Sequence, residues 1–408
     1  MPVWWSGVVP ALLAVGCGLF GSLGPIVGDG SDDSPTGQQD TTAPPVSELP
    51  EHEPTATSRP TDLPHVDREP TTPSEPAPPP PTPPPPTPPP PASPPTRKAI
   101  ETINGVYVLG LEDRPAASLN PLLADPAIDG LSLRAGWIDV EPREGSYDWS
   151  LFDSGLAAAV EYGKKVMLRV LPGVKTPAWV YEAGAAQFEF VDVNPYHETS
   201  GQTLHMPVPW DPVYLEKWRQ FVAAFGAAYA GHPNVTIVAI SGPAAGGEMH
   251  LGDEGAADRW CAVGYSDTTL VDTWKQAIDA FTAAFPRQHL TIAIAHATAF
   301  GDPDNVVEQV VRCCAEAGCG IQGNWLAART EPQNPLYRRV AAFAAIRPVG
   351  FQTLSAAGIP RFGGNLRPAV NLALKAHASY LELYLADLST FPEDVAYAHE
   401  QLTGTGKP

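Results

Sequence analysis

Two glutamates stand where a carboxylate could do chemistry. Glu382 interrupts the apolar run SYLELYLADL, and Glu248 sits in the glycine-rich stretch SGPAAGGEMHLGDEG. Paired carboxyls serve glycoside hydrolysis. One delivers a proton to the leaving oxygen while the other attacks the anomeric carbon or activates water, at ~5–5.5 Å or ~6.5–9.5 Å separation respectively. A glutamate inside an apolar strand is costly to bury unless it is paired or functional. Alternation places Leu381, Leu383 and Leu385 on one face and Glu382, Tyr384 and Ala386 on the other. If the second face is interior, Arg134 or Arg169 can balance Glu382, either as a structural ion pair or in a reactive site. Gly242, Gly246 and Gly247 permit the tight backbone that would fold Glu248 inward; otherwise Glu248 is a solvated loop residue, as Asp253 and Glu254 are expected to be. Asp387 is a reserve carboxylate at the end of the same strand as Glu382.

The elements that must position these groups read as repeated strand and helix, the pattern of a parallel sheet. Strands are predicted at Val106–Leu111, Gly130–Ala135, Lys165–Leu171, Val235–Ser241, Leu290–His296, Gly320–Trp325, Val349–Leu354 and Tyr380–Ala386. Amphipathic helices are predicted at Tyr214–Tyr229, Thr269–Phe285, Asn305–Ala317, Pro335–Ala345, Arg367–Ala376 and Pro392–Leu402. An earlier helix carries Leu151, Phe152, Leu156 and Val160 at helical spacing behind a cap at Asp148 or Ser150. Together these predict an α/β fold, a (β/α)8 TIM barrel, with its chemistry at the C-terminal strand ends.

The central stretch is GLSLRAGWIDVEPREGSYDWSLFD, residues 130–153. An arginine ends a short strand, Glu141-Pro142 forces an extended turn, and an aromatic Tyr-Asp-Trp-Ser leads into a helix. This run, continued by KKVMLRVLPGVKTPAWV, resembles the clan A glycoside hydrolases, and most closely the β-galactosidase-like members of family 42 and their relatives. The resemblance spans about Gly105 to Leu402. It implies an acid/base just after the fourth strand, for which Glu248 is the candidate, although Ser241-Gly242-Pro243 stands where the clan usually has Asn-Glu. It implies that Arg134 corresponds to the arginine that orients the nucleophile. It places the nucleophile on the seventh strand, where this chain has Gln352. An amide cannot act as a carboxylate nucleophile, so two readings stand: an exported glycoside hydrolase-like enzyme with Glu382 as the substitute second carboxylate, or a catalytically inactive barrel that binds glycan at the cell envelope, which Gln352 favours.

Other polar or aromatic residues at strand ends suit a hydroxyl-rich ligand: Trp137, His296, Gln322, Asn324, Trp325 and Tyr384, with Gln352 beside them. His296 is equally readable as a hydrogen-bonded core histidine, and Glu141 as a structural residue of its turn. Two long connections, from Pro172 to Tyr214 and from Gly242 to Thr268, build a site or pack the loops. They carry Trp179, Tyr181, Tyr196 and Trp210 in the first and Trp260 and Tyr265 in the second. Their flat faces stack on sugar rings or on the barrel itself.

Composition bounds the rest. From Thr41 to Arg97, 23 of 57 residues are proline, so this segment cannot bury a core and is expected to be an extended, disordered spacer. Residues 28–97 carry −8 of the net charge of −20. A spacer and a domain that are both acidic argue against nucleic acid and for a neutral oligo- or polysaccharide partner. Residues 1–27 are apolar without Lys, Arg, Asp or Glu, and too short in their core for a membrane span. They read as a signal segment of an exported bacterial protein. Leu13-Ala14-Val15-Gly16-Cys17 loosely matches a lipoprotein box, which would attach Cys17 to the membrane. The expected division is thus 1–27 signal, 28–97 linker and 98–408 barrel.

Of the remaining cysteines, adjacent Cys313 and Cys314 are not expected to bond each other, and Cys261 is expected to join one of them; Cys319 completes the set. Their spacing does not suit zinc, and no metal or organic cofactor is implied. Serine-hydrolase, phosphate-loop and dinucleotide signatures are absent from the sequence.

Overall fold

A computed structural model describes residues 103–109, 120–242, 244–253 and 256–405. The signal and linker segments, Cys17, Pro243 and Glu254 lie outside the described residues. Eight parallel strands close a barrel: β1 (Gly105–Leu109), β2 (Gly130–Gly136), β3 (Lys165–Leu171), β6 (Val235–Ile240), β7 (His289–Ala293), β8 (Gly320–Leu326), β9 (Val349–Thr353) and β10 (Tyr380–Tyr384). The two intervening strands, β4 (Gln187–Val191) and β5 (Thr203–Pro207), form an antiparallel hairpin outside the barrel. Helices cover the ring, among them Ser150–Glu161, Pro212–Tyr229, Asp267–Ala284, Pro303–Ala317, Pro335–Phe343, Arg367–Lys375 and Pro392–Thr403. The chain is a (β/α)8 TIM barrel.

The boundaries differ from the sequence reading in instructive ways. Leu290–His296 shortens to His289–Ala293, which leaves His296 in the following loop. Tyr380–Ala386 stops at Tyr384, because Leu385–Thr390 turns directly into a short helix. The strand expected at Val106–Leu111 is Gly105–Leu109, and residues 110 and 111 lie outside the described ones. Val160, predicted on the packed face of its helix, is 46% exposed; a period of 3.6 residues carries that position away from the core face.

Inside the barrel, large side chains lie over glycines. A Cβ at Gly350 would meet the Tyr380 ring at 2.1 Å, and one at Gly130 would meet Tyr107 at 2.6 Å. Tyr107, Tyr380, Met167, Ile237, Ala239 and Ile103 form this apolar floor. Two residues further along the strands, alternation returns the same face to the interior. There the residues are Ser132, Arg169, Gln322, Gln352 and Glu382, a buried polar layer directly on the floor.

Cys314 is bonded to Cys319 and Cys313 is a free thiol, so the expected Cys261 bridge to Cys313 or Cys314 is not formed. The left-handed Gly318 (φ 80°) ends helix Pro303–Ala317 and turns the chain back, bringing the two Cα atoms to 5.0 Å. That reversal is local, whereas Cys261 is on a different connection. No group of His, Cys, Asp and Glu suited to a metal occurs among the described residues.

Candidate carboxylate site at the barrel mouth

Glu382 is at the centre of the polar layer and has no solvent-accessible surface. Its Oε1 accepts from Ser132 Oγ at 2.5 Å. Its Oε2 accepts from Arg169 Nη2 at 3.1 Å and from the amide of Gln322. Arg169 Nη1 donates to Gln352 Oε1 at 3.1 Å, and Tyr380 Oη donates to Gln322 Oε1 at 2.7 Å. The strand register explains the gathering, since Glu382 is paired with Gln352 on β9 and with Tyr107 on β1. A buried carboxylate survives when a cation and several donors surround it, and this one has both.

Glu248 lies one level higher. Its Oε1 accepts from the Asn324 amide and is 3.6 Å from Arg169 Nη1, with 35% of the side chain exposed. Backbone geometry brings it there. Gly247 (φ 77°) closes a turn with its carbonyl accepting from Gly242 N at 3.0 Å. Gly173 (φ 67°), in the loop after β3, lets that loop approach Ala244 and Ala245; a Cβ there would sit 2.1 Å from the Ala244 carbonyl. One guanidinium thus serves both carboxylates, which keeps them inside the ~10 Å that two-carboxylate glycoside chemistry spans.

The other candidate residues divide. Asn324 joins the site, donating to Glu248 and accepting from Gln322 Nε2 at 2.7 Å. Arg134, half-buried, is one pair above the floor in register with Arg169, and Arg169 is the arginine that carries Glu382. Gln322 and Gln352 are sealed in the layer, at 0% and 5% exposure; they support the site from below and offer a ligand no surface. Trp137 is a correction of the same kind. It is fully buried, edge-on to Trp179 and Trp218 and donating to Glu141 Oε2 at 2.8 Å, because the helix Pro212–Tyr229 packs over it. Burial pushes the Glu141 carboxyl up, and its bonds to Trp137 and to Gly145 N place it in the turn it closes.

Trp179 and Trp325 are half-buried, with indole N–H groups committed to the carbonyls of Glu141 and Ile294. Tyr384 is half-buried at the end of β10. His296 is 3.2 Å from Asp304 across the loop after β7. Trp260 and Tyr265 pack the loops onto the barrel, both buried, and Asp253 pairs with Arg259 at 2.6 Å. Asp387 is 1% exposed and accepts from Ala357 N at 2.6 Å. Sequence reasoning passed over Ser132 and Tyr380. Their signal was the alternation Gly130-Ser132-Arg134 and Tyr380-Glu382 on interior faces.

Residues 132–281 match the family model of glycoside hydrolase family 42, described as Beta-galactosidase. That stretch is similar to glycoside hydrolase family 42. The match runs from β2 to the helix Asp267–Ala284, shorter than the resemblance over Gly105 to Leu402. The strands that carry Gln322, Gln352 and Glu382 lie beyond it. Similar solved structures include a β-galactosidase from the psychrophilic Marinomonas ef1, at 14% identity and TM-score 0.43 over 69% of this chain and 54% of that one. A xylanase B from Clostridium stercorarium F9 has 14% identity and TM-score 0.42 over 71% and 89%. A polyextremophilic β-galactosidase from the Antarctic haloarchaeon Halorubrum lacusprofundi has 14% identity and TM-score 0.45 over 69% and 52%. The chain spans about half the length of the two β-galactosidases. No curated protein matches it.

Proposed function

We propose that the mouth of this glycoside hydrolase-like barrel binds a neutral saccharide without cleaving it. The carrying observation is the accessibility of its carboxylates: of Glu248, Glu382 and Asp387, only Glu248 reaches solvent. A nucleophile must touch the anomeric carbon, and Glu382 lies under Arg169 with both oxygens engaged. Gln352, where the family resemblance places a nucleophile, is an amide. Glu248 and Asn324 offer a charged acceptor and an amide to sugar hydroxyls, and the half-buried Trp179, Trp325 and Tyr384 flank the strand ends.

A second reading, hydrolysis of an O-glycosidic bond with Glu248 as acid/base and Glu382 as its partner, is favoured by the guanidinium shared between those two carboxylates. It requires Ser132, Arg169 and Gln322 to release Glu382 when a ligand binds. Titration calorimetry and turnover assays on the full chain, over nitrophenyl glycosides and neutral polysaccharides, separate the two. Binding without turnover, weakened about tenfold or more in Glu248→Gln by loss of a charge-assisted bond, supports the binder. Turnover lost in both Glu248→Gln and Glu382→Gln establishes the hydrolase. Neither binding nor turnover rejects both.

The reading includes export and display at the cell envelope. Its support is the uncharged apolar stretch 1–27 and the proline-rich spacer behind it. Fatty-acid labelling that disappears in Cys17→Ala is the expected result for lipid attachment; labelling of neither protein leaves a secreted form.

A further inference from the structure

The connection from β3 to helix Pro212–Tyr229 carries the β4–β5 hairpin. Its strands alternate Phe188 and Phe190 inward with Gln187, Glu189 and Val191 outward. The inward face is seated on the loop after β6. Phe188 stacks on Trp260 with ring centroids 3.6 Å apart, and Phe190 lies against Gly252, where a Cβ would approach its ring at 3.2 Å. Arg259 sits 4.8 Å over Phe188 and donates to the Glu189 carbonyl. This is the same loop that carries Glu248.

The tip, residues 192–202, is a folded unit of its own. Asp192 accepts from Asn194 N at 3.0 Å, His197 Nδ1 at 2.9 Å and Thr199 Oγ1 at 2.5 Å, and its carbonyl accepts from Gly201 N at 2.7 Å. Asn194 Oδ1 accepts from Tyr196 N at 3.0 Å. The tip holds Tyr196 outward, 64% exposed, and the Arg361 guanidinium lies 4.6 Å from the centre of its ring. Arg361 belongs to the segment after β9 and is fixed by a 2.8 Å bond from Nη2 to the Leu354 carbonyl.

The ring order is β1-β10-β9-β8-β7-β6-β3-β2. β3 and β9 are therefore opposite each other, equally distant in either direction. They are also the strands that carry Arg169 and Gln352. The Tyr196–Arg361 stack ties the two opposite rims of the mouth.

We propose that the β4–β5 hairpin is a strap across the rims of the barrel mouth, latched by Tyr196 on Arg361, which sets the rate at which a saccharide enters and leaves the Glu248 site. The proposal rests on the reading of that site as a saccharide site. An exposed cation–π contact is weak, so its loss raises the open-to-closed ratio by about two- to fivefold. The seat of Phe188 on Trp260 is independent of it, so the latch opens with the base of the hairpin still docked and the tip loosened.

The test uses the full chain and the variants Tyr196→Ala, Arg361→Ala and both together. The first readout needs no ligand: amide hydrogen exchange of residues 192–202 and 354–362. Tyr196→Ala is expected to speed exchange on the opposite rim, around Arg361, and Arg361→Ala to speed it at the tip; the double variant behaves as either single one. Exchange altered only in the segment that carries each substitution overturns the strap. The second readout is stopped-flow binding of the saccharide found by the functional screen. Association and dissociation are expected to rise together by about two- to fivefold, with the equilibrium constant little changed. Unchanged rates with binding intact overturn the gate. If no saccharide binds any of the proteins, the functional reading fails on its own, and the exchange experiment still decides the strap.

Discussion

Arg169 holds Glu382 at 3.1 Å in a part of the barrel where neither side chain is more than 3% exposed. The pair is the only cation–carboxylate contact in the described residues with both partners sealed from water. Such a pair contributes less by being present than its halves cost when separated. Arg169→Met strands a buried carboxylate and is expected to lower stability by about 3–5 kcal/mol. Adding Glu382→Gln to the same chain restores part of that loss. Urea unfolding of the two variants checks it: a double variant less stable than Arg169→Met would contradict the pairing.

Gly173 is where the third and fourth connections of the barrel touch. With φ at 67° and carbonyls of Ala244 and Ala245 at 2.1 and 2.3 Å from a built Cβ, no side chain fits without moving backbone. Gly173→Ala is expected to cost more than about 1 kcal/mol, since strain and clash add. It also displaces the 244–248 turn. A saccharide bound through Glu248 should therefore bind more weakly to Gly173→Ala, whereas Gly184→Ala, at a site with open space around it, should leave binding unchanged. Calorimetry on the two variants distinguishes them.

The Cys314–Cys319 bridge closes a short loop around Gly318. On the chain-entropy account a loop of this size contributes about 2 kcal/mol. Replacing both cysteines by alanine is expected to lower the denaturation midpoint accordingly, and Cys313→Ser, at a half-buried free thiol, to leave it within about 0.5 kcal/mol. Guanidinium unfolding under non-reducing conditions measures both.

Burial pushes the Asp387 carboxyl above its ordinary range, opposed by the backbone N–H groups of Ala357 and Tyr384. A raised folded value means that its stabilising contribution is fully present below the unfolded carboxylate pKa. It is lost as pH rises through the folded one. Asp387→Asn keeps a carbonyl acceptor for Ala357 N and removes the charge. The variant is expected to melt higher than the parent at neutral pH, with the gap closing as pH falls through the raised folded value towards the ordinary aspartate value. A gap that widens on acidification would show a favourable buried charge instead.

The sequence by itself determined the architecture. Period-two apolar runs separated by period-3.6 runs make eight strands and their helices, and a parallel strand repeat of that number closes into one barrel. Alternation along SYLELYLA also placed Glu382 on the face opposite the leucines, with Tyr384. These are local properties of the chain, so local sequence carries them. The tertiary structure decided who meets whom. Trp137 and Trp179 are both aromatic residues near strand ends, yet the helix Pro212–Tyr229 closes over the first and leaves the second half-open. Glu382 and Glu248 are equally acidic, and only the meeting of β2, β3, β8 and β10 seals one while the glycine turn at 247 lifts the other to the surface. The Tyr196–Arg361 contact joins positions 165 residues apart, on the connections that follow two opposite strands of the ring. Exposure and partnership depend on which distant segments arrive at a side chain, and no window of neighbouring residues contains that information.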